Sequence, residues 1–150
     1  MRHFTFGMLI FGTLIFSCKQ KTENMSKTII STDKASAAIG PYSQAVMAGN
    51  TLYCSGQIAI NPETGALDTS NIENETRQVM KNIGEVLKEA GMDYSNVVKT
   101  SIFMKSMNQY GAVNGVYAEY FTDSPPAREA IEVARLPKDV NIEISVIAVR

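Results

Sequence analysis

Two charged residues in the C-terminal quarter of the chain are the first candidates for chemistry. Arg128 follows two prolines in "PPAREAIEV", and Glu143 lies between two isoleucines in "NIEISVIAVR". A charged side chain in a strand is either solvated at an exposed edge or buried with a partner. Arginine presents a planar fork that binds a carboxylate, and a carboxylate can exchange protons with water. The two residues therefore predict either plain surface positions or an anion site with a proton-transfer group.

Scarce residue types restrict the chemistry further. His3 is the only histidine and lies in a segment that we expect to be removed, after which Cys54 is the only free thiol. A chain without imidazole lacks the usual general base, the Ser-His and Cys-His pairs and the commonest metal ligand. A single thiol forms no internal disulfide and no cysteine-rich metal site. We therefore expect no metal, and the formal net charge of -1 gives no attraction to nucleic acid.

The N-terminal segment differs from the rest of the chain. Arg2 precedes an apolar run over residues 4–16, and Ser17-Cys18 follows. This pattern predicts a signal peptide over residues 1–18 with lipoprotein-type cleavage before Cys18, a lipidation site, and a polar tether over 19–26. The expected location is a membrane-anchored lipoprotein on the periplasmic or cell-envelope side. A cleaved secretory signal or an uncleaved anchor is the alternative, and translation from Met25 gives a cytoplasmic form.

Residues 27–150 read as one domain in which strands alternate with helices. The predicted order is three strands, a helix, a strand, a second helix over 106–121 and two strands. Ser70 and Glu73 fit a capping box for the first helix, and Gly91 ends it. In the third strand, alternation assigns one face to Leu52, Cys54, Ile58 and Ile60. Two helices cover one face of a mixed β-sheet, so the fold class is α+β.

The last strand has apolar residues on both of its faces. Ile142, Ile144, Val146 and Ala148 share one face, while Ile147 and Val149 lie on the other. The helices cover one face only, so a second cover is needed. We expect another copy of the chain to supply it, and cover by loops is the alternative.

Several motifs together resemble the RidA/YjgF family of enamine/imine deaminases, also called L-PSP. The resemblance covers the chain from Met25 to Arg150 and rests on the segments "AIGPYSQAV", "SGQI", "NPETG", "VVKTSIFMK", "VNGVYAEYF", "PPAR" and "IEVARLPKDVNIEISVIAVR". It implies a chorismate-mutase-like α+β fold and a homotrimer with sites in the clefts between subunits. It also implies 2-iminobutanoate/2-iminopropanoate deaminase activity without a cofactor. In that reaction 2-imino acids, formed from enamines such as 2-aminoacrylate, are hydrolysed to 2-keto acids and ammonia.

The resemblance also implies roles for single residues. Arg128 binds the substrate carboxylate, and Glu143 positions or activates water. The cleft residues implied in addition are Tyr42, Ser55, Gly56 and Asn114.

One position departs from the family. Ala130 stands where many members have cysteine, which leaves imine hydrolysis in place and removes thiol-dependent roles. Glu129, beside Arg128, is expected on the opposite face of its strand.

Two rival functions stay open. One is a non-catalytic binder of small carboxylates, and the other is an L-PSP-type ribonuclease.

Overall fold

The computed structural model describes residues 26–150. It contains six strands and two helices, joined in places by short 3-10 segments. The strands are β1 (Lys27–Ile30), β2 (Ala45–Ala48), β3 (Thr51–Gln57), β4 (Val97–Met104), β5 (Ala127–Glu132) and β6 (Ile142–Val149). The helices are α1 (Ile72–Glu89) and α2 (Tyr110–Ala118), and the 3-10 segments are Tyr94–Asn96, Met107–Gln109 and Pro137–Asp139. The predicted leader, Cys18 and residues 19–25 of the tether lie outside the described residues.

The strands form one mixed sheet in the order β1-β2-β3-β6-β4-β5. Every neighbouring pair is antiparallel except β4 and β5, which run parallel. A parallel pair needs a crossover connection, and α2 supplies it. The Gly49-Asn50 turn joins β2 to β3, and Gly49 adopts φ 61° as such a turn requires. The predicted α+β class and the mixed sheet are confirmed.

Both helices begin at residues other than those predicted from the sequence. The side chain of Asn71 caps α1 by accepting a hydrogen bond from the backbone N–H of Asn74. The hydroxyl of Ser70 instead donates to Asp68, so the predicted capping box is wrong. The second helix begins at Tyr110 rather than at residue 106, because a separate 3-10 turn, capped by Ser106, occupies the first positions. Gly91 follows α1 with φ 69°, which confirms the predicted stop.

The two faces of the sheet have different surroundings. The helix-side face is the main core, and β6 contributes Ile142, Ile144, Val146 and Ala148 to it. The other face is called the open face here and consists of Tyr53, Lys99, Ser101, Phe103, Glu129, Ile131, Glu143, Ser145, Ile147 and Val149. Tyr53 and Ile131 are exposed on it, while Phe103 and Ile147 are half-buried. Both helices on one face are thus confirmed, and cover of the open face by another copy stays a prediction.

A bulge in β3 contradicts the predicted alternation of that strand. Cys54 pairs with Val146 and Gln57 with Ile144, so β3 uses one more residue than β6 over the same length. The extra residue reverses the side-chain alternation after Cys54. As a result Ile58 and Ile60 leave the face shared by Leu52 and Cys54. They form a second small core, together with Leu136 and Val140.

Candidate functional site

The first candidate cleft surrounds Glu143 on the open face. It has a volume of about 250 Å³ and is lined by Ile39, Tyr42, Ser55, Gly56, Ile58, Pro137 and Glu143. Four of the predicted site residues therefore lie together. Burial raises the pKa of Glu143, which lies half-buried in β6. A carboxyl group with a raised pKa is suited to take up and return a proton.

Gly56 makes room for this carboxylate. A methyl group built at Gly56 would overlap with the side-chain oxygen of Glu143 and would lie 2.6 Å from its carboxylate carbon. The bulge at Ser55 and Gly56 carries the backbone to this point, and only glycine leaves the space open. The sequence reasoning named Gly56 as a cleft residue, and the structure adds that it contacts Glu143.

Ser55 and Tyr42 join the first cleft to the loop between β1 and β2. Ser55 donates its hydroxyl hydrogen to the carbonyl of Ser43 at 2.7 Å, and its backbone N–H donates to Gln44 at 2.9 Å. Tyr42 follows a tight turn, and its hydroxyl accepts from the backbone N–H of Ile39 at 3.1 Å. These contacts fix the loop beside the bulge.

Gln44 is a supporting residue that the sequence reasoning missed. Its buried amide donates to the carbonyls of Thr32 and Ser36, at 2.9 and 2.8 Å, and accepts from the N–H of Thr32 at 2.7 Å. A polar side chain bonded only to backbone atoms has no pattern in sequence that marks it. Gln44 therefore positions the loop that carries Tyr42.

The second candidate cleft surrounds Arg128. It has a volume of about 520 Å³ and is lined by Asn114, Tyr117, Ala118, Phe121, Pro125, Pro126 and Arg128. The guanidinium donates from Nη1 to Oδ1 of Asn114 at 2.8 Å and from Nη2 to the hydroxyl of Tyr110 at 3.0 Å. Its central carbon lies 4.8 Å from the ring centre of Tyr117, a cation–π contact. Arg128 is thus held in place rather than solvated.

The sequence reasoning did not identify Tyr110 or Tyr117 as site residues. Asn114 follows Tyr110 by four positions, which places both on one face of α2. That spacing was the available signal for the contact with Arg128. Tyr117 is buried, and its hydroxyl donates to Thr100 at 3.0 Å.

The two clefts lie on opposite faces of the sheet. Arg128 pairs with Thr100, which faces the helices, whereas Glu143 belongs to the open face. Glu129 is also on the open face, where its carboxylate accepts from Lys99 and Ser101, so the expected alternation beside Arg128 is confirmed. The structure therefore brings Glu143, Tyr42, Ser55 and Gly56 together, and brings Arg128 together with Asn114, but does not join the two groups within one chain.

The thiol of Cys54 lies in the main core and lines neither cleft. Cys54 is buried in the main core, and burial raises its pKa to about 12. A thiol in that state is a packing residue and not a nucleophile. Ala130 packs against the same core from β5. Within residues 26–150 no three metal-binding side chains cluster together.

Comparison with known proteins gives consistent matches over the described domain. The family model described as "Endoribonuclease L-PSP" matches residues 32–150. A mouse 2-iminobutanoate/2-iminopropanoate deaminase is 49% identical over 124 residues, which are 83% of this chain and 92% of that protein. A RutC family protein of Pyrococcus horikoshii is 51% identical over 122 residues, which are 81% of this chain and 97% of the relative. The crystal structure of the YjgF gene product of E. coli is 44% identical with a TM-score of 0.79, covering 82% of this chain and 98% of that one.

These relatives correct the predicted location. The alignment takes up 92% of the mouse protein and 98% of the E. coli chain, so neither has a counterpart of the 25-residue N-terminal segment. The membrane-anchored, cell-envelope location was inferred from that segment alone, and by this comparison it is wrong. Within residues 26–150, moreover, no helix has both the length and the apolar character that crossing a bilayer demands.

The match over most of the chain, the high identities and the shared architecture agree with the motifs found in the sequence. The chain belongs to the L-PSP family, which is the family also named RidA and YjgF.

Proposed function

We propose that this protein is a 2-iminobutanoate/2-iminopropanoate deaminase that needs no cofactor. The reaction adds one water to the C=N carbon of a 2-imino acid and releases ammonia, leaving the C=O of a 2-keto acid. The observation that carries the proposal is the pair of clefts, one with a fixed arginine and one with a carboxyl group of raised pKa. The mouse relative with the same printed activity supports it.

Arg128 binds the carboxylate of the substrate in this proposal. Hydrogen bonds to Asn114 and Tyr110 and the stacked ring of Tyr117 hold its guanidinium. A small 2-imino acid has no other anionic group, so a preorganised arginine orients it with little loss of side-chain entropy.

Glu143 transfers the protons. As a carboxylate it takes a proton from water while the oxygen attacks the protonated imine carbon. It then returns that proton to the nitrogen of the tetrahedral intermediate. The C–N bond breaks, the hydroxyl gives its hydrogen to the Glu143 carboxylate, and Glu143 passes this proton to the departing ammonia, which leaves as ammonium. The raised pKa of Glu143 favours this return of the proton to nitrogen, because Glu143 then readily forms the carboxylic acid that donates it. Tyr42 and Ser55 border the same space.

Arg128 and Glu143 act together in this proposal only across two copies of the chain. The open face exposes Tyr53 and Ile131, and it carries the Glu143 cleft. Arg128 lies on β5, an edge strand of the sheet. A homotrimer packed through the open faces can place the edge strand of one copy against the Glu143 cleft of the next. Each complete site then takes Arg128 and Asn114 from one copy and the Glu143 cleft from another.

Mixed assemblies test the shared site. Arg128→Ala and Glu143→Gln chains, each expected to be strongly impaired alone, are co-expressed with different tags, and the mixed trimers are isolated by both tags. In a cyclic trimer every mixed assembly has about one complete site in three, so we expect about one third of wild-type activity. The assay follows keto-acid and ammonia formation from 2-aminoacrylate made in situ, corrected for spontaneous hydrolysis. Mixed assemblies no more active than the parents would show that the site is not shared.

The same assay distinguishes the proposed deaminase from a non-catalytic binder of small carboxylates. Wild-type protein that binds pyruvate but releases no ammonia above the spontaneous rate is a binder. The ribonuclease alternative rests on the family description alone, and residues 26–150 contain no histidine to act as its general base.

A further inference from the structure

Tyr110 touches no substrate atom in the proposed reaction, but it contacts the arginine that binds the substrate. It is the first residue of α2, and its hydroxyl accepts a hydrogen bond from Nη2 of Arg128 at 3.0 Å. Asn114 lies one turn later on the same helix face and accepts from Nη1 at 2.8 Å. Two side chains of one helix thus accept hydrogen bonds from the two terminal nitrogens of one guanidinium.

We propose that Tyr110 is a positioning residue that, with Asn114, holds Arg128 by its terminal nitrogens and leaves its Nε edge for the carboxylate of the ligand. The proposal rests on the proposed function for the identity of that ligand. A guanidinium has five N–H donors, and two are used by Asn114 and Tyr110. Nε donates to no atom of residues 26–150. The Nε–H and the Nη2 hydrogen on the same edge of the guanidinium are parallel donors, and a carboxylate binds such a pair in bidentate form.

The ring of Tyr117 restricts the guanidinium in the third direction. It lies under Arg128 at 4.8 Å, and its hydroxyl is bonded to buried Thr100. The guanidinium is therefore fixed both within its plane and perpendicular to it. Removal of the Tyr110 hydroxyl frees one terminal nitrogen while the stacking contact stays.

The same contact makes carboxylate binding sensitive to alkaline pH. The side chain of Asn114 and the charge of Arg128 lower the pKa of Tyr110 below its ordinary value. A phenolate formed beside Arg128 cancels the charge that attracts the ligand and pairs with it instead. Binding of a carboxylate should therefore weaken as the pH rises through the pKa of Tyr110.

The other ionisable groups near Tyr110 do not give this behaviour. Glu132 on β5 accepts a hydrogen bond from the backbone N–H of Met107 at 2.8 Å in the adjoining 3-10 turn, so its contact is with that turn and not with the Tyr110 hydroxyl. Burial raises the pKa of Tyr117, so it ionises after Tyr110. The other residues of the 3-10 turn, Asn108 and Gln109, have no ionisable side chain.

The first experiment needs no ligand. The difference between the ultraviolet pH titrations of wild type and Tyr110→Phe isolates the signal of the Tyr110 phenol. We expect its midpoint below the ordinary value of about 10. In the Arg128→Met background the midpoint should rise. Tyr120→Phe is the matched control, since Tyr120 packs on Tyr94 and makes no contact with Arg128. A Tyr110 midpoint unaffected by Arg128→Met would overturn the contact.

The second experiment measures pyruvate binding to the full chain by nuclear magnetic resonance between pH 7 and pH 10. We expect Tyr110→Phe to bind about tenfold more weakly at pH 7, as expected for one lost hydrogen bond to a charged group, and to lose the alkaline decline. Tyr120→Phe should bind as wild type does. Equal affinity and an equal decline in Tyr110→Phe would refute the positioning role. If wild type binds no pyruvate, the proposed function loses its support, and the ultraviolet titration decides the role of Tyr110 alone.

Discussion

Replacement of Gly56 by alanine tests whether the bulge in β3 places the carboxylate of Glu143, to which we assign the proton transfer. The added methyl group would lie 2.6 Å from the carboxylate carbon of Glu143 and 2.9 Å from its Cγ. Ordinary contact begins at about 3.4 Å, and a carboxylate oxygen overlaps the methyl group more closely than either carbon, so the carboxylate has to move by more than about 0.8 Å or rotate away. Displacement of a catalytic group by about 1 Å costs about 100-fold in rate. We therefore expect kcat to fall about 100-fold in Gly56→Ala.

Stability should change little in the same variant. The Glu143 side chain borders an open cleft, so it can leave its position at an off-rotamer cost of about 1 kcal/mol. Kinetics of imine hydrolysis and urea unfolding are measured on the same samples. A loss of activity with a nearly unchanged free energy of unfolding separates a displaced carboxylate from a damaged fold.

A double-variant cycle makes the test decisive. When Glu143→Gln has already removed the proton-transfer group, Gly56→Ala should lower kcat no further, because the two changes act on one group. Gly115→Ala is the matched control, as a methyl group there meets no atom within 4 Å. Wild-type kcat in Gly56→Ala, or additive effects of the two changes, would refute the reasoning.

Three further predictions concern Glu75, Glu143 and Arg128. Fully buried Glu75 accepts two hydrogen bonds from Asn141, each at 2.7 Å, so Glu75→Ala should lower the free energy of unfolding by about 3 kcal/mol in urea titrations, and an unchanged midpoint would contradict this. The folded-state pKa of Glu143 is raised, so its contribution to stability is complete below the unfolded pKa and is lost as the pH rises through the folded pKa. Glu143→Gln should therefore gain stability over wild type on going from pH 4 to pH 7, and parallel pH profiles would exclude the effect. Arg128→Lys keeps the charge but loses the fork, so kcat/KM should fall roughly 30-fold or more, and near wild-type kcat/KM would rule out a carboxylate fork.

The sequence predicted the elements better than their local geometry. Alternation and helical spacing were enough for the mixed sheet, because each element buries one regular face. The bulge at Ser55 and Gly56 was missed, since Ile58 and Ile60 continue the same alternation and in fact belong to another core. The N-cap at Asn71 was missed because Ser70 and Asn71 are both favourable N-cap residues, and only the backbone geometry decides between them.

The site was predicted as a set of residues and not as an arrangement. The motifs identified Glu143 and Arg128 as site residues, and the structure places them on opposite faces of the sheet. The alternation of side chains within each strand could be read from the sequence, but the order of the strands in the sheet could not. The contact between Tyr110 and Arg128 also depends on the crossover through α2, which no local pattern specifies.

The separation of Arg128 and Glu143 on opposite faces has a thermodynamic consequence. A ligand that touches both groups binds only to associated chains, so ligand binding and association are linked equilibria. At a ligand concentration of 100 times Kd, each occupied site adds about 2.7 kcal/mol to the stability of the associated state. If the site is shared as proposed, the chains of a dilute sample should stay associated in the presence of a 2-keto acid and dissociate in its absence, so that the product of the proposed reaction preserves the associated form.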